Sequence, residues 1–155
     1  MRTTVFSVAL AAVLLFGAAS AQAHCEIPCG IYGDAARFVE LREHVTTIEK
    51  SMKKISALSK EASPDLNQVV RWVTNKDAHA VKLQEVVWQY FLAQRIKPVS
   101  AKDDKAGHAA YALKRELLHK ITLRAMKAKQ GTDLAHVEAL RTLIDRFEKA
   151  YFGKK

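Results

Sequence analysis

Glycine and proline are scarce in this 155-residue chain, with 6 and 3 residues. That excludes a collagen-like or low-complexity chain and weighs against a turn-rich sandwich. Cysteine is scarcer still. The 2 cysteines permit at most one internal bridge, so a disulfide scaffold is excluded. Cys-x-x-Cys-His does not occur, which argues against covalent haem attachment. Zinc-finger spacing, a glycine-rich phosphate loop and H-E-x-x-H are missing too, so nothing points to nucleic acid or to a metallohydrolase. Neither β-alternation of useful length nor a solenoid repeat is found. Acidic residues are in the minority, 16 against 25 Lys and Arg, for a formal charge of +9. The 49% hydrophobic content suffices for one domain with a core.

Charge is absent from the first residues. Arg2 is the only charged side chain before His24, and 5–19 is almost continuously apolar or small. Ala21-Gln22-Ala23 follows, with small residues where a signal peptidase reads. A basic start, an apolar stretch and an A-x-A end predict a secretory leader over 1–23 and a periplasmic or secreted product. The apolar stretch is short for a spanning helix, which disfavours the competing reading of an uncleaved anchor. No later segment approaches membrane-spanning length, so the mature chain is expected to have no membrane span. Cleavage after Ala23 turns the nitrogen of His24 into a free α-amine.

The remainder has helical period. Phe38, Leu41, Val45, Ile48, Met52 and Ile55 recur at alternating steps of three and four, predicting a helix over 34–58 with Asp34 as cap or first-turn acid. Ser63-Pro64-Asp65 reads as a capping hydroxyl followed by proline at the first helical position. The second helix is predicted over 64–94, with Leu66, Val69, Val70, Val73, Ala80, Leu83, Val87 and Phe91 inward and a candidate kink at 75–77. Pro98 and Ser100 mark a loop. A third helix is predicted over 103–129, with Ala110, Leu113, Leu117 and Ile121 inward. Gly131-Thr132-Asp133 supplies a stop and a new cap. The fourth covers 133–152 with Val137, Leu140, Ile144, Phe147 and Tyr151. The fold class is therefore all-α, an antiparallel four-helix bundle over 34–155 behind an irregular N-terminal segment, 24–33. Phe91, Phe147 and Tyr151 read as core rather than ligand contacts. His44, His108, His119 and His136 are scattered and read as surface or core-edge residues.

The unusual chemistry lies at the new terminus, His24-Cys25-Glu26-Ile27-Pro28-Cys29-Gly30-Ile31-Tyr32. Both cysteines stand in its first six residues and close no long loop, so they have little entropy to remove from the unfolded chain. Their placement suits a ligand set: two thiolates, a free amine, an imidazole and an amide that a metal can deprotonate. Pro28 fixes φ and Gly30 tolerates a tight or left-handed turn, which helps the sulfurs converge. Such a mixture suits square-planar Ni(II) or Cu(II) better than tetrahedral zinc, and it stabilises a higher oxidation state. A plain Cys25–Cys29 disulfide formed after export is the alternative, and spacing alone leaves both open.

These nine residues, HCEIPCGIY, closely resemble the hook of the nickel-containing superoxide dismutases, H-C-x-x-P-C-G-x-Y directly after a processed leader. The resemblance implies a metal-binding hook over 24–33 with His24, Cys25 and Cys29 as ligands. One nickel per subunit would cycle between Ni2+ and Ni3+, with His24 also supplying an axial imidazole. It implies a four-helix bundle assembled as a homohexamer, superoxide as substrate, oxygen and hydrogen peroxide as products, and a leader-processing protease as partner. Tyr32 resembles the hook tyrosine that guards the open face. Glu40 resembles the acid that braces the axial imidazole. For that brace's basic partner, Arg71 matches in type and His79 in register, counted from Trp88-Gln89-Tyr90-Phe91. Tyr90 matches a second tyrosine near the site.

Two other functions compete. A non-catalytic periplasmic nickel- or copper-binding protein would use the same hook without turnover. A helical module for acidic partners would use Lys53-Lys54, Lys127-Lys129 and Lys154-Lys155, although such short runs usually mark solvated faces. The net positive charge helps a small anion reach the site, since a favourable field raises encounter rates.

Overall fold

The apolar stripe that begins at Phe38 does become a helix, and its bounds are those expected. The computed structural model describes residues 30–100 and 104–153. The predicted leader and the candidate ligands His24, Cys25 and Cys29 lie outside the described residues. Four helices follow: α1 Asp34–Leu58, α2 Leu66–Glu85, α3 Lys105–Gln130 and α4 Ala135–Phe152. A π-helical stretch, Val86–Arg95, continues α2. No strand occurs among the described residues.

Cross-contacts give the directions. Asp34, at the start of α1, meets Arg95 beyond the end of α2 and Tyr151 near the end of α4. Lys76 of α2 meets the last turn of α3 at Ala128 and Lys129. Lys114, early in α3, lies over the Tyr151 ring late in α4. Successive helices therefore run antiparallel, α1 against α2 and α4, α3 against α2 and α4, which is the up-down-up-down bundle.

Every residue of the α1 stripe is buried, and so are Ala80, Leu83, Val87, Phe91, Leu117, Ile121, Val137, Leu140, Ile144 and Phe147. The expected inward face fails at the outer ends of the middle helices. Leu66, Val70 and Val73 of α2 are 71%, 62% and 37% exposed, and Leu113 of α3 is 41% exposed. Ala110 is exposed and Val69 only partly covered. These residues keep helical spacing but stand exposed among the described residues.

Starts and stops are set by side chains. Asp65, not Ser63, caps α2, accepting from the Gln68 N–H at 3.2 Å, so the helix begins after Pro64. Asp104 caps α3 at Gly107 N–H, 2.7 Å. Asp133 accepts from Ala135 N–H before α4, at 2.9 Å. Gly153 closes α4 in the left-handed region at φ 67°, which glycine adopts without a Cβ penalty.

The candidate kink at 75–77 is absent. Helix α2 runs through it, because Lys76 has a use for burial. Its side chain is 2% exposed, and its ammonium donates to the Ala128 and Lys129 carbonyls, at 2.8 and 2.6 Å. Asp77 lies 3.0 Å from the same ammonium. A cation thus caps the negative end of α3, satisfying carbonyls that its last turn leaves free. Lys76→Met keeps the stem and strands both carbonyls. It is expected to lower stability by roughly 2–3 kcal/mol, read as an earlier urea midpoint; an unchanged midpoint would refute the capping role.

Candidate functional site

The π-helical stretch decides what the Asp34 end of the bundle looks like. In an α-helix about 3.6 residues complete a turn, so positions five apart diverge around the axis. The wider turn brings such positions back into line. Here the Ile96 N–H donates to the Phe91 carbonyl at 2.8 Å, and the Gln94 side chain donates to the Gln89 carbonyl at 2.9 Å. Tyr90 and Arg95, five residues apart, consequently reach the same carboxylate.

That carboxylate is Asp34. Arg95 Nε donates to Oδ1 at 2.9 Å and Nη2 to Oδ2 at 2.7 Å, a forked pair. The Tyr90 hydroxyl donates to Oδ1 at 2.5 Å and the Tyr151 hydroxyl to Oδ2 at 2.9 Å. Arg95 Nε also approaches the Tyr151 oxygen at 3.1 Å. The Arg95 bonds, helped by the two phenols, hold the Asp34 carboxyl below its ordinary value of 3.8 against the opposing effect of burial. Burial, then the bond to Asp34, pushes the Tyr90 phenol up to about 12. Burial likewise raises the Tyr151 phenol, and the bonds to Asp34 raise the Arg95 guanidinium.

Beneath this node sits an aromatic cluster. Phe38 packs 5.1 Å from Phe91 and 5.4 Å from Phe147, and Phe91 lies 4.9 Å from Phe147, centroid to centroid. Tyr151 packs its ring into this cluster, 5.5 Å from Phe91, while its hydroxyl serves the node. The core reading holds for Phe91 and Phe147 and is half the role of Tyr151.

Tyr32 rests on the node from outside. The Arg95 guanidinium carbon lies 4.2 Å from the centroid of its ring, and the Tyr90 ring stands edge-on at 6.1 Å. Tyr32 is 42% exposed, so one side of it is open to solvent. Tyr90 is nearly covered and also takes the Arg37 guanidinium over its ring at 5.0 Å. Gly30, just upstream, has φ +75°, the left-handed turn its residue type favours.

Glu40 lies one turn further along α1. Its Oε2 accepts from Arg37 at 2.6 Å, and its Oε1 stands 3.9 Å from His44 Nε2. His44 Nδ1 meets His79 Nδ1 of α2 at 3.1 Å. His44 Nε2 is buried without a hydrogen-bond partner. Burial, and then the charge of His79, lower the His44 imidazole from 6.5; burial and Lys82 lower that of His79. Arg71 is exposed on α2, about 12 Å along the axis from His79 at about 1.5 Å per residue. The structure thus brings His79, not Arg71, to the Glu40 side of α1.

Five participants escaped the sequence reading in these roles: Asp34, Arg37, His44, Arg95 and Tyr151. Asp34 is the first-turn acid expected, yet its partners come from 56, 61 and 117 residues away. His44 is a core-edge histidine as expected, but it is not isolated, since it pairs with His79. His108 and His119 are exposed as expected. Among the described residues, no group of three or more His, Cys, Asp and Glu gathers into a metal site. No described helix is long and apolar enough to cross a membrane.

The described residues form a four-helix bundle whose polar node holds Tyr32, three residues after Cys29 in the sequence. The family model of the nickel-containing superoxide dismutases matches residues 19–155. The chain belongs to that family. The match implies nickel as its metal and superoxide as its substrate, and it takes in His24, Cys25, Cys29 and Tyr32. No curated protein and no solved structure matches the chain.

The node makes a pH prediction. Because the folded Asp34 carboxyl sits below its unfolded value, its stabilisation is complete above that value and is lost as pH falls through the folded one. Asp34→Asn is expected to lower the melting temperature near neutral pH and to flatten the acid limb of the stability profile. Thermal melts across the acid range test this; an acid limb identical to that of the unsubstituted protein would refute it.

Proposed function

We propose that the chain, cleaved after Ala23, disproportionates superoxide to oxygen and hydrogen peroxide at a nickel ion held by His24, Cys25 and Cys29. The observation that carries this reading is the family match over 19–155. Within that stretch an A-x-A leader end is followed at once by H-C-x-x-P-C-G-x-Y. The donor set fits the metal: the two thiolates of Cys25 and Cys29, the primary amine of His24 and an amide that a metal can deprotonate would hold Ni(II) in preference to zinc. The left-handed Gly30 supports a turn directly after Cys29. When bound, nickel supplies a one-electron Ni(III)/Ni(II) couple.

The chain's own residues do the rest. Between Cys29 and Tyr32 there are three residue steps, at most about 10 Å of extended chain. Tyr32, which rests on Arg95, would take the part of the tyrosine that guards the metal's open face. Glu40 would brace the His24 imidazole, as carboxylates do behind histidine ligands. His79 takes the part of the brace's basic partner, with Arg71 as the alternative by residue type. Tyr90 supports Tyr32 from its edge. The mature protein is exported to the periplasm or beyond by a leader-processing protease, binds one nickel per subunit and assembles as a homohexamer.

An added alanine before His24 removes the primary amine without touching the bundle. Turnover of superoxide is expected to fall to background while helical circular dichroism is unchanged. Mass spectrometry of natively processed protein is expected to find His24 first, with about one nickel per chain by elemental analysis. Equal turnover with and without the extra residue would overturn the mechanism. Nickel bound without turnover in the natively processed protein would favour the non-catalytic metal-binding reading.

A further inference from the structure

Beside the Asp34 node the bundle leaves a surface cavity of about 560 Å³. Three elements converge on it: the end of the π-helical stretch with the segment after it, the first turns of α3 and the last turn of α4. Arg95, Lys97 and Lys114 bring three positive charges to its wall, and Asp34 brings one negative charge. Asp34 is already engaged on both oxygens. Arg95 holds it through Nε and Nη2, which leaves Nη1 over. Lys97 is exposed and Lys114 partly covered. Among the described residues neither lysine is in an ion pair; Lys114 lies over the Tyr151 ring, its ammonium 5.8 Å from the centroid. The cavity therefore carries positive charge that the chain itself does not neutralise.

The rest of the wall is apolar or aromatic, with Ile96, Val99, Ala110, Tyr111 and Phe152. An inorganic oxyanion would meet the cations but leave that wall, and most of the volume, to water. Sites of several hundred Å³ take an apolar body that a few placed polar groups orient. We propose that this cavity binds a small organic anion, a carboxylate carried on an apolar body about the size of a phenyl ring. The carboxylate accepts from the ammonium groups of Lys97 and Lys114, in charge-assisted bonds that are stronger than neutral ones. Arg95 Nη1 and the Tyr111 hydroxyl are further donors on the same wall. The apolar body covers Val99, Ala110 and the Tyr111 ring, which already packs against the core. The ligand links the segment after the π-helical stretch to α3 without displacing any bond of Asp34. All of these residues belong to the bundle, and none to the hook. The site therefore stands whether or not the chain turns over superoxide.

The test titrates the natively processed full chain with benzoate. Acetate supplies the charge without the body, benzyl alcohol the body without the charge, and phenyl phosphate the same body under a different anion. Benzoate is expected to bind saturably, at millimolar concentration or below, and to shift the amide NMR signals of Lys97, Gly107 and Tyr111 together. The melting temperature is expected to rise with benzoate concentration, as it does for any ligand of the folded state alone. Acetate and benzyl alcohol are each expected to bind at least roughly tenfold more weakly, the scale of one charged hydrogen bond or of one buried body. Phenyl phosphate carries up to a second negative charge beside Asp34 and is expected to bind more weakly than benzoate; tighter binding would overturn the carboxylate in favour of a phosphate ester. Lys114→Met keeps the stem and removes the charge, and is expected to weaken benzoate binding roughly tenfold. Ala110→Leu, on the exposed side of α3, narrows the cavity without touching a charge and is expected to abolish binding. Because Ala110→Leu replaces one good helix former with another, it decides the matter even if Lys114→Met fails to fold. No saturable binding of benzoate, shifts confined to residues away from the cavity, or equal binding in Ala110→Leu would overturn the site and leave the metal reading untouched.

Discussion

The carboxylate of Asp34 is the constraint on which one end of the bundle depends. It is the first helical residue of α1, so its charge also lies against the positive end of that helix. It accepts from Arg95 and Tyr90 of the π-helical stretch and from Tyr151 of α4. Three elements are thereby tied at one end of the bundle by a single residue. The pair with Arg95 is only partly exposed, 19% for Asp34 and 28% for Arg95, so water screens it less than an ordinary surface pair. Such a group is costly to leave half-satisfied, and here both oxygens are used. The consequence reaches outward, because the guanidinium that Asp34 orients is the surface on which Tyr32 lies.

A π-helical turn gives up the tighter α-helical geometry and is kept where it places side chains that an α-helix would separate. In this chain it places Tyr90 and Arg95 side by side on Asp34 while Phe91, between them, points into the aromatic cluster. An α-helical version of the same ten residues would turn one of the two polar groups away. The stretch also follows a helix that is α-helical throughout, so the distortion is confined to the end that needs it. The aromatic cluster beneath supplies the stiffness. Tyr151 shares in both layers, with its ring among the phenylalanines and its hydroxyl on the carboxylate.

Local period made the helices legible. The α1 stripe repeats without interruption, and its helix begins and ends where the pattern does. The proposed hook is a contiguous string, whose residue types suit a metal and leave a disulfide equally open. What stayed hidden depends on pairs distant in the chain or on a change of helical period. Lys76 looked like part of a polar break because nothing nearby in sequence shows that α3 ends against it. Leu66 and Val70 have correct spacing, but periodicity cannot tell how far the opposing helices extend. Arg95 and Tyr90 are out of phase in an α-helical reading, so no wheel places them together. His44 looked like one scattered histidine among several, since its partner lies 35 residues away.

The choice between Arg71 and His79 also carries a chemical distinction. A guanidinium stays protonated at any pH the fold tolerates, so it holds a carboxylate but cannot pass a proton on. An imidazole near neutrality does both, through two different nitrogens. An arginine beside Glu40 would make the acid a fixed brace and would leave proton supply to water at the open face. Here Arg37 already supplies the fixed charge, on Oε2 of Glu40, and the histidine pair stands on the Oε1 side. The two oxygens of one carboxylate are thus divided between a partner that only holds and a partner that can exchange.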